Sequence, residues 1–229
     1  MKSAKIKTVM FGRSACQDRS ERTRQRLIEV AVEVFADLGY EAASTRTIVE
    51  KAQANLVSIP YYFGSKLGLY HAVAEYIGIN IMEQFRPVLE KAREHLKEPG
   101  QSREQTLKYF VEFIVGFARI MLSAAQPAWG RFIYREQFDP TEAFEIIHAK
   151  FAPTISLGCE FVSRLTGQPV DATETRIQVL AIFSMIKFTR MDRASVLRIM
   201  GWKSVGNEEM QIVTEMLRQN VNLLFAQPK

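Results

Sequence analysis

From residue 21 to residue 225 the apolar side chains return at intervals of three and four, stretch after stretch, with little along the way to stop a helix. Only 8 prolines and 12 glycines are spread over 229 residues, and long runs lack both. Spacing by three and four gathers apolar groups on one face of an α-helix, whereas a half-buried strand needs alternation by two. The pattern predicts an all-α chain. With 47% apolar and 24% charged residues, such a chain has the composition of an ordinary globular protein.

The first segment, ERTRQRLIEVAVEVFADL (21–38), carries Leu27, Ala31, Val34, Phe35 and Leu38 on one face, and Gly39 is placed to end it. Ser44 is a good N-cap for a short helix, TRTIVEKA, with Ile48, Val49 and Ala52 inward. Asn55 then caps a third element in NLVSIPYYFGSK (55–66). Two short helices joined by a tight turn form a helix-turn-helix, whose second helix lies in the DNA major groove. On this reading Leu56, Val57 and Ser58 occupy the first turn of the reading helix and meet base edges. Tyr61 and Tyr62 present phenols to phosphate, Lys66 supplies a counter-charge, and Ile59 and Phe63 anchor the element from inside.

Charge points the same way. The net charge is +5, yet residues 1–26 alone hold eight basic side chains against Asp18 and Glu21. A solvated tail accounts for such a run; attraction to a polyanion such as DNA is the other account.

Residues 69–229 read as one larger helical domain. LGLYHAVAEYIGINIMEQF precedes a kink expected at Pro87, and an apolar helix spans about 103–123. A short helix lies between the prolines of AQPAWGRFIYREQFDP, and the next is interrupted at Pro153. TGQPVD is a loop, and the helix after it is apolar around nearly its whole circumference, which requires burial on more than one side. The final helix has two stripes: Met210, Val213, Leu217 and Leu224, and separately Ile212, Met216 and Leu223. One stripe facing the subunit core and one facing a second copy predicts a two-fold homodimer; a single large core is the alternative.

The segment FADLGYEAASTRTIVEKAQANLVSIPYYFGSKLGLY (35–70) resembles the DNA-binding domain of TetR-family transcriptional regulators. FIYREQFDPTEAF (132–144) and VLRIMGW (196–202) resemble the CecR-like branch of that family. The resemblance implies a basic, disordered tail over 1–20 and a helix-turn-helix domain over 21–68. Residues 69–229 become an effector-binding and dimerisation domain. It implies a cytoplasmic, homodimeric repressor that leaves a double-stranded DNA operator when a small molecule binds, in connection with efflux or drug response. The DNA contacts it implies are Ser44, Thr45, Arg46, Asn55, Leu56, Val57, Ser58, Tyr61, Tyr62 and Lys66. An effector pocket is expected among Phe113, Phe117, Met121, Trp129, Phe132, Met185 and Phe188, with Arg131, Arg135, Glu136 and His148 as polar points. Several positions depart from the family pattern. Gln53 replaces a turn glycine, Ala43 a threonine and Thr47 an acidic capping residue, while Pro60 withholds the donor for the Leu56 carbonyl.

Other classes have less support. No apolar run reaches the length of a membrane span. Cys16 and Cys159 have no paired spacing, and His71, His95 and His148 are isolated, so neither a disulfide, a metal nor another cofactor is expected. Nucleophile elbows and phosphate-binding glycine loops are absent, which argues against an enzyme. A helical protein using 55–66 as a partner surface is the remaining alternative.

Overall fold

The computed structural model of the protein describes residues 15–123 and 127–226, with side chains from residue 19 onward. All regular structure among them is helical: α1 (Ala15–Ala42), α2 (Thr45–Lys51), α3 (Ser58–Phe63), α4 (Lys66–Lys97), α5 (Arg103–Leu122), α6 (Pro127–Phe138), α7 (Glu142–Thr166), α8 (Thr173–Met191), α9 (Arg193–Met200) and α10 (Asn207–Leu224). They form two compact units, divided after Val73. No described helix is long and apolar enough to cross a membrane.

In the first unit α1 starts at Ala15, so the expected tail of 1–20 is helical in its last six residues; Lys2 to Arg13 lie outside the described residues. Gly39, with φ 79° and ψ 176°, breaks the helical path near its end, a conformation only glycine takes easily. Leu27, Ala31, Val34 and Phe35 are buried as their spacing predicts, with Ile48, Val49, Ala52 and Ile59 packed among them. Leu38, the last of the stripe, is half exposed. Phe35 and Tyr70 close this core edge to face, with ring centroids 4.8 Å apart.

The second unit is built around α5, which packs against α10, α7 and α8. Its start is secured by a capping box in which the Ser102 hydroxyl accepts from Gln105 N and the Gln105 side chain accepts from Ser102 N. Phe110, Phe113 and Phe117 stand at intervals of three and four and meet Phe161 of α7 and Phe183 of α8. Phe85 of α4 closes the cluster, 5.1 Å from Phe117.

Two expectations are corrected here. α7 runs through Pro153 without interruption. The ring costs the bond to the Ala149 carbonyl, but Ile147, Thr154 and Leu157 are buried on either side, and their packing outweighs one hydrogen bond. In α10 the inward stripe is Val213, Leu217 and Val221, continued by Phe225, and Leu224 is exposed. The second stripe of Ile212, Met216 and Leu223 is exposed as well, as are Ile177, Leu180 and Phe188 of α8. Thus α8 is covered on one side only within the chain.

His95 is buried at the end of α4, stacked 4.0 Å from the Tyr109 ring. The Thr106 hydroxyl donates to the Ser102 carbonyl, so its oxygen is left to accept from His95 Nε2 at 3.4 Å, and Nδ1 has no partner. Burial lowers the His95 pKa below 6.5, Glu98 opposes this and Arg164 adds to it. The unfolded chain therefore binds the extra proton first. Stability is full above about pH 6.5 and declines below it, by at most about 1.4 kcal/mol per pH unit for one proton. His95→Phe keeps the stack and should flatten this part of the pH profile, read as urea midpoints between pH 7 and pH 5.

Candidate nucleic-acid interface and ligand cavities

Helix α2 begins and ends on local chemistry. The Ser44 hydroxyl accepts from Arg46 N at 3.2 Å, and Thr47 supplies no return bond, so the cap is single. At the other end Ala54 N donates to the Val49 carbonyl (2.9 Å) and Gln53 N to the Glu50 carbonyl (3.1 Å). This pair of bonds is a Schellman motif, and its left-handed position is Gln53, at φ 49°. A glutamine thus sits where glycine fits without strain, and Arg26 of α1 donates to its carbonyl at 3.3 Å.

The element after the turn differs from expectation in register. Asn55 Oδ1 accepts from Val57 N (3.2 Å), and Ser58 N donates to the Asn55 carbonyl (2.9 Å). Asn55 therefore holds a turn of Leu56 and Val57, and α3 starts at Ser58, with its first i to i+4 bond from Tyr61 N to the Val57 carbonyl. Pro60 is the cause: it has no N–H for the Leu56 carbonyl, so helical bonding cannot begin a residue earlier. Leu56 and Val57 lie before the helix rather than in its first turn. Ile59 is buried beneath α3, Ser58 is half-buried, and Tyr61 projects outward.

The result is an exposed apolar cluster beside polar groups. Leu56, Val57 and Tyr61 are 54%, 65% and 76% exposed, and Arg46, Ser44 and Asn55 are exposed near them in sequence, with Thr45 half-buried. Arg46 is held only by an exposed ion pair to Glu50 (2.9 Å), worth a few tenths of a kcal/mol on a helix surface and readily exchanged for a phosphate. Two expected phosphate donors have internal roles. The Tyr62 hydroxyl lies 3.1 Å from Ser20 Oγ, joining α3 to α1. Lys66 Nζ donates to the Glu41 carbonyl (3.2 Å) and sits 4.4 Å from the centre of the Tyr40 ring. An ammonium has three donors, so the Glu41 contact does not exhaust Lys66.

A helix pair with a tight turn and an outward second helix is the geometry of a groove reader, and the comparisons decide which. Residues 27–73 match the family model for bacterial regulatory proteins of the TetR family, and residues 104–227 match the C-terminal domain of the HTH-type transcriptional dual regulator CecR. The chain belongs to the TetR family, in its CecR branch. Such proteins are transcriptional regulators and not enzymes. CecR of Shigella flexneri is 27% identical over 90% of this chain and 93% of its own. The HTH-type transcriptional repressor NicS of Pseudomonas putida is 34% identical over 42% of each chain. Among solved structures, a transcriptional regulator from Pseudomonas aeruginosa PAO1 superposes with a TM-score of 0.63 at 14% identity, covering 90% and 91% of the two chains. AibR, solved in complex with isovaleryl coenzyme A and operator DNA, gives 0.62 at 14%, covering 89% and 98%.

Within this TetR-family chain the residues expected to line one effector pocket are dispersed. Phe113, Phe117 and Phe132 are core. Met185 and Phe188 line an outward groove of about 610 Å³ between α8, α9 and α10, and His148 is exposed beside Phe144. Arg135 is exposed, and the buried Glu136 carboxylate accepts from Thr141 N and Oγ1 at 3.0 and 2.9 Å, which secures the start of α7. Met121 and Trp129 border a small cavity of about 30 Å³, and Arg131 lines a neighbouring cleft of about 310 Å³. Both voids also meet Arg190, and the cleft adds Tyr134 and Arg193; none of these three was singled out from sequence. The available signal was RMDR (190–193), two arginines three apart at the end of an apolar helix.

Gln53→Gly should relieve the left-handed strain and stabilise the protein by about 0.5–1 kcal/mol, after allowing for the extra freedom glycine has when unfolded. Chemical denaturation checks this, and operator binding should be unchanged.

Proposed function

We propose that the chain is a homodimeric repressor that binds a two-half-site DNA operator through α2, the Gln53 turn and α3, and that a small molecule bound in the larger unit releases it. The observation that carries this reading is the outward cluster of Leu56, Val57 and Tyr61 over a turn closed by backbone bonds. Apolar groups there suit thymine methyls, Arg46 and Asn55 suit base edges or phosphate, and the Tyr61 phenol suits a phosphate oxygen. Ser44, Thr45, Ser58, Tyr62 and Lys66 complete the proposed contact set, the last two also bracing the unit.

The exposed apolar stripes of α8 and α10 support the homodimer, since Leu223 at 73% exposure and its neighbours are poorly suited to water. Two copies would present α3 to half-sites about a helical turn or more apart. Repression follows the name of NicS, whereas that of the longer-matching CecR speaks of dual regulation. AibR, with ligand and operator DNA together, supports a ligand-responsive reading. Release requires the effector to prefer the free protein over the DNA-bound one, and by linkage DNA must weaken effector binding equally. Efflux or drug-response genes are the proposed targets, and the cytoplasm the proposed site of action.

Fluorescence anisotropy with a duplex from upstream of the chain's own gene, beside a scrambled duplex, tests the reading. The native duplex should bind more tightly, and added salt should weaken binding steeply as counterions are released. Tyr61→Ala should lower its affinity about tenfold, the worth of one hydrogen bond to a charged group, with little change in melting temperature because the side chain is exposed. Equal binding of both duplexes, or full affinity in Tyr61→Ala, would count against the assigned face. Ile212→Arg with Leu223→Arg should give monomers by sedimentation and lose operator binding; an intact dimer would refute the assigned interface.

A further inference from the structure

The cleft of about 310 Å³ is bounded by the end of α5, the start of α6, the end of α8 and the start of α9, and its lining is charged with one sign. Arg131, Arg190 and Arg193 line it, and no acidic residue is among its described lining residues. The fold makes specific room for one of them. The Arg190 guanidinium lies against the α6 backbone at Gly130, where a Cβ would overlap it, and it donates to the Met121 carbonyl. Glycine inside a helix is costly by up to about 1 kcal/mol relative to alanine, so Gly130 is a position where this guanidinium replaces a side chain. Burial lowers the Arg190 pKa, with Tyr134 opposing and Arg193 adding to the shift. An arginine nonetheless keeps its charge in proteins. Burial also pushes the Tyr134 phenol up to about 12, so it remains a neutral hydroxyl donor.

Three guanidiniums around a partly desolvated space repel one another, and an anion between them would relieve this while gaining charge-assisted hydrogen bonds. Leu122, Pro127 and Val205 supply apolar wall to the same cleft. A cavity of this size is at the lower end for small-molecule sites. We infer that the cleft binds a small organic anion with an apolar body, its charged group set among Arg131, Arg190 and Arg193 and its body against the apolar wall. The inference rests on the ligand-responsive reading above and narrows it to an anionic effector.

A matched pair of probes tests it on the full chain: 1-anilinonaphthalene-8-sulfonate and N-phenyl-1-naphthylamine, the same ring system with and without the sulfonate. Fluorescence titration should show the sulfonate bound about tenfold tighter or more. Arg131→Gln with Arg193→Gln alters only exposed side chains and should abolish that preference while leaving the neutral probe unchanged; Arg190→Gln should do the same. Equal affinity for both probes, or a preference intact in both variants, overturns the site. Each probe is then added to the operator complex. Release by the sulfonate alone supports an anionic effector. Arginine-dependent binding with no release upholds the anion site and counts against the ligand-responsive reading.

Discussion

Burial of α5 from several sides is the constraint on which the larger unit depends. A helix with Phe110, Val111, Phe113, Ile114, Phe117 and Ala118 all withdrawn from water cannot exist alone, since each large side chain left exposed would forfeit about 1.5–3 kcal/mol. It needs α7, α8 and α10 around it, together with the later part of α4, whose Phe85 and Leu89 join the same core. The aromatic rings there meet edge to face or tilted, arrangements favoured by the ring quadrupole. The neighbours are then committed: each has one face on α5, and what its other face does is free to serve function. For α8 and α10 that other face is apolar and exposed.

The smaller unit depends on backbone chemistry more than on bulk. Its core is modest, and its reading element α3 is six residues long, too short to be stable alone. What fixes α3 is the set of connections around it: the Schellman bonds ending α2, the Asn55 turn, the buried Ile59, and the Tyr62 and Lys66 contacts to Ser20 and Glu41. Arg24 and Arg26, members of a basic run that looked like a tail, brace it as well, one over the Phe63 ring and one on the Gln53 carbonyl. The same residues therefore add positive charge to a DNA-binding unit and hold its turn.

Pro60 and Gln53 show how sequence departures were absorbed. Proline delays the helix to Ser58, leaving Leu56 and Val57 in a turn where both side chains project into solvent. Glutamine takes a left-handed conformation because the closing hydrogen bonds of α2 require one there. Neither disrupts the helix pair, since each acts within one turn. Their effect falls on which side chains reach outward, and so on the surface that meets bases.

Local chemistry was legible in the sequence because its partners are a few residues apart. The Ser44 cap, the break at Gly39, the helix ends and the inward stripe of α1 all follow from periodicity and short-range hydrogen bonding, and they carried the all-α class and the helix-turn-helix. The TetR likeness came from the same short range, in residues 35–70. Tertiary structure decided what depends on surfaces meeting. It carried α7 through Pro153 and set Leu224 outside. It also sent Phe113 and Phe117 to the core and His148 to the surface, and brought Arg131 together with Arg190, 59 positions away in the chain. No periodicity records that juxtaposition, because a cavity is the space left when several helices pack, and its lining belongs to none of them alone.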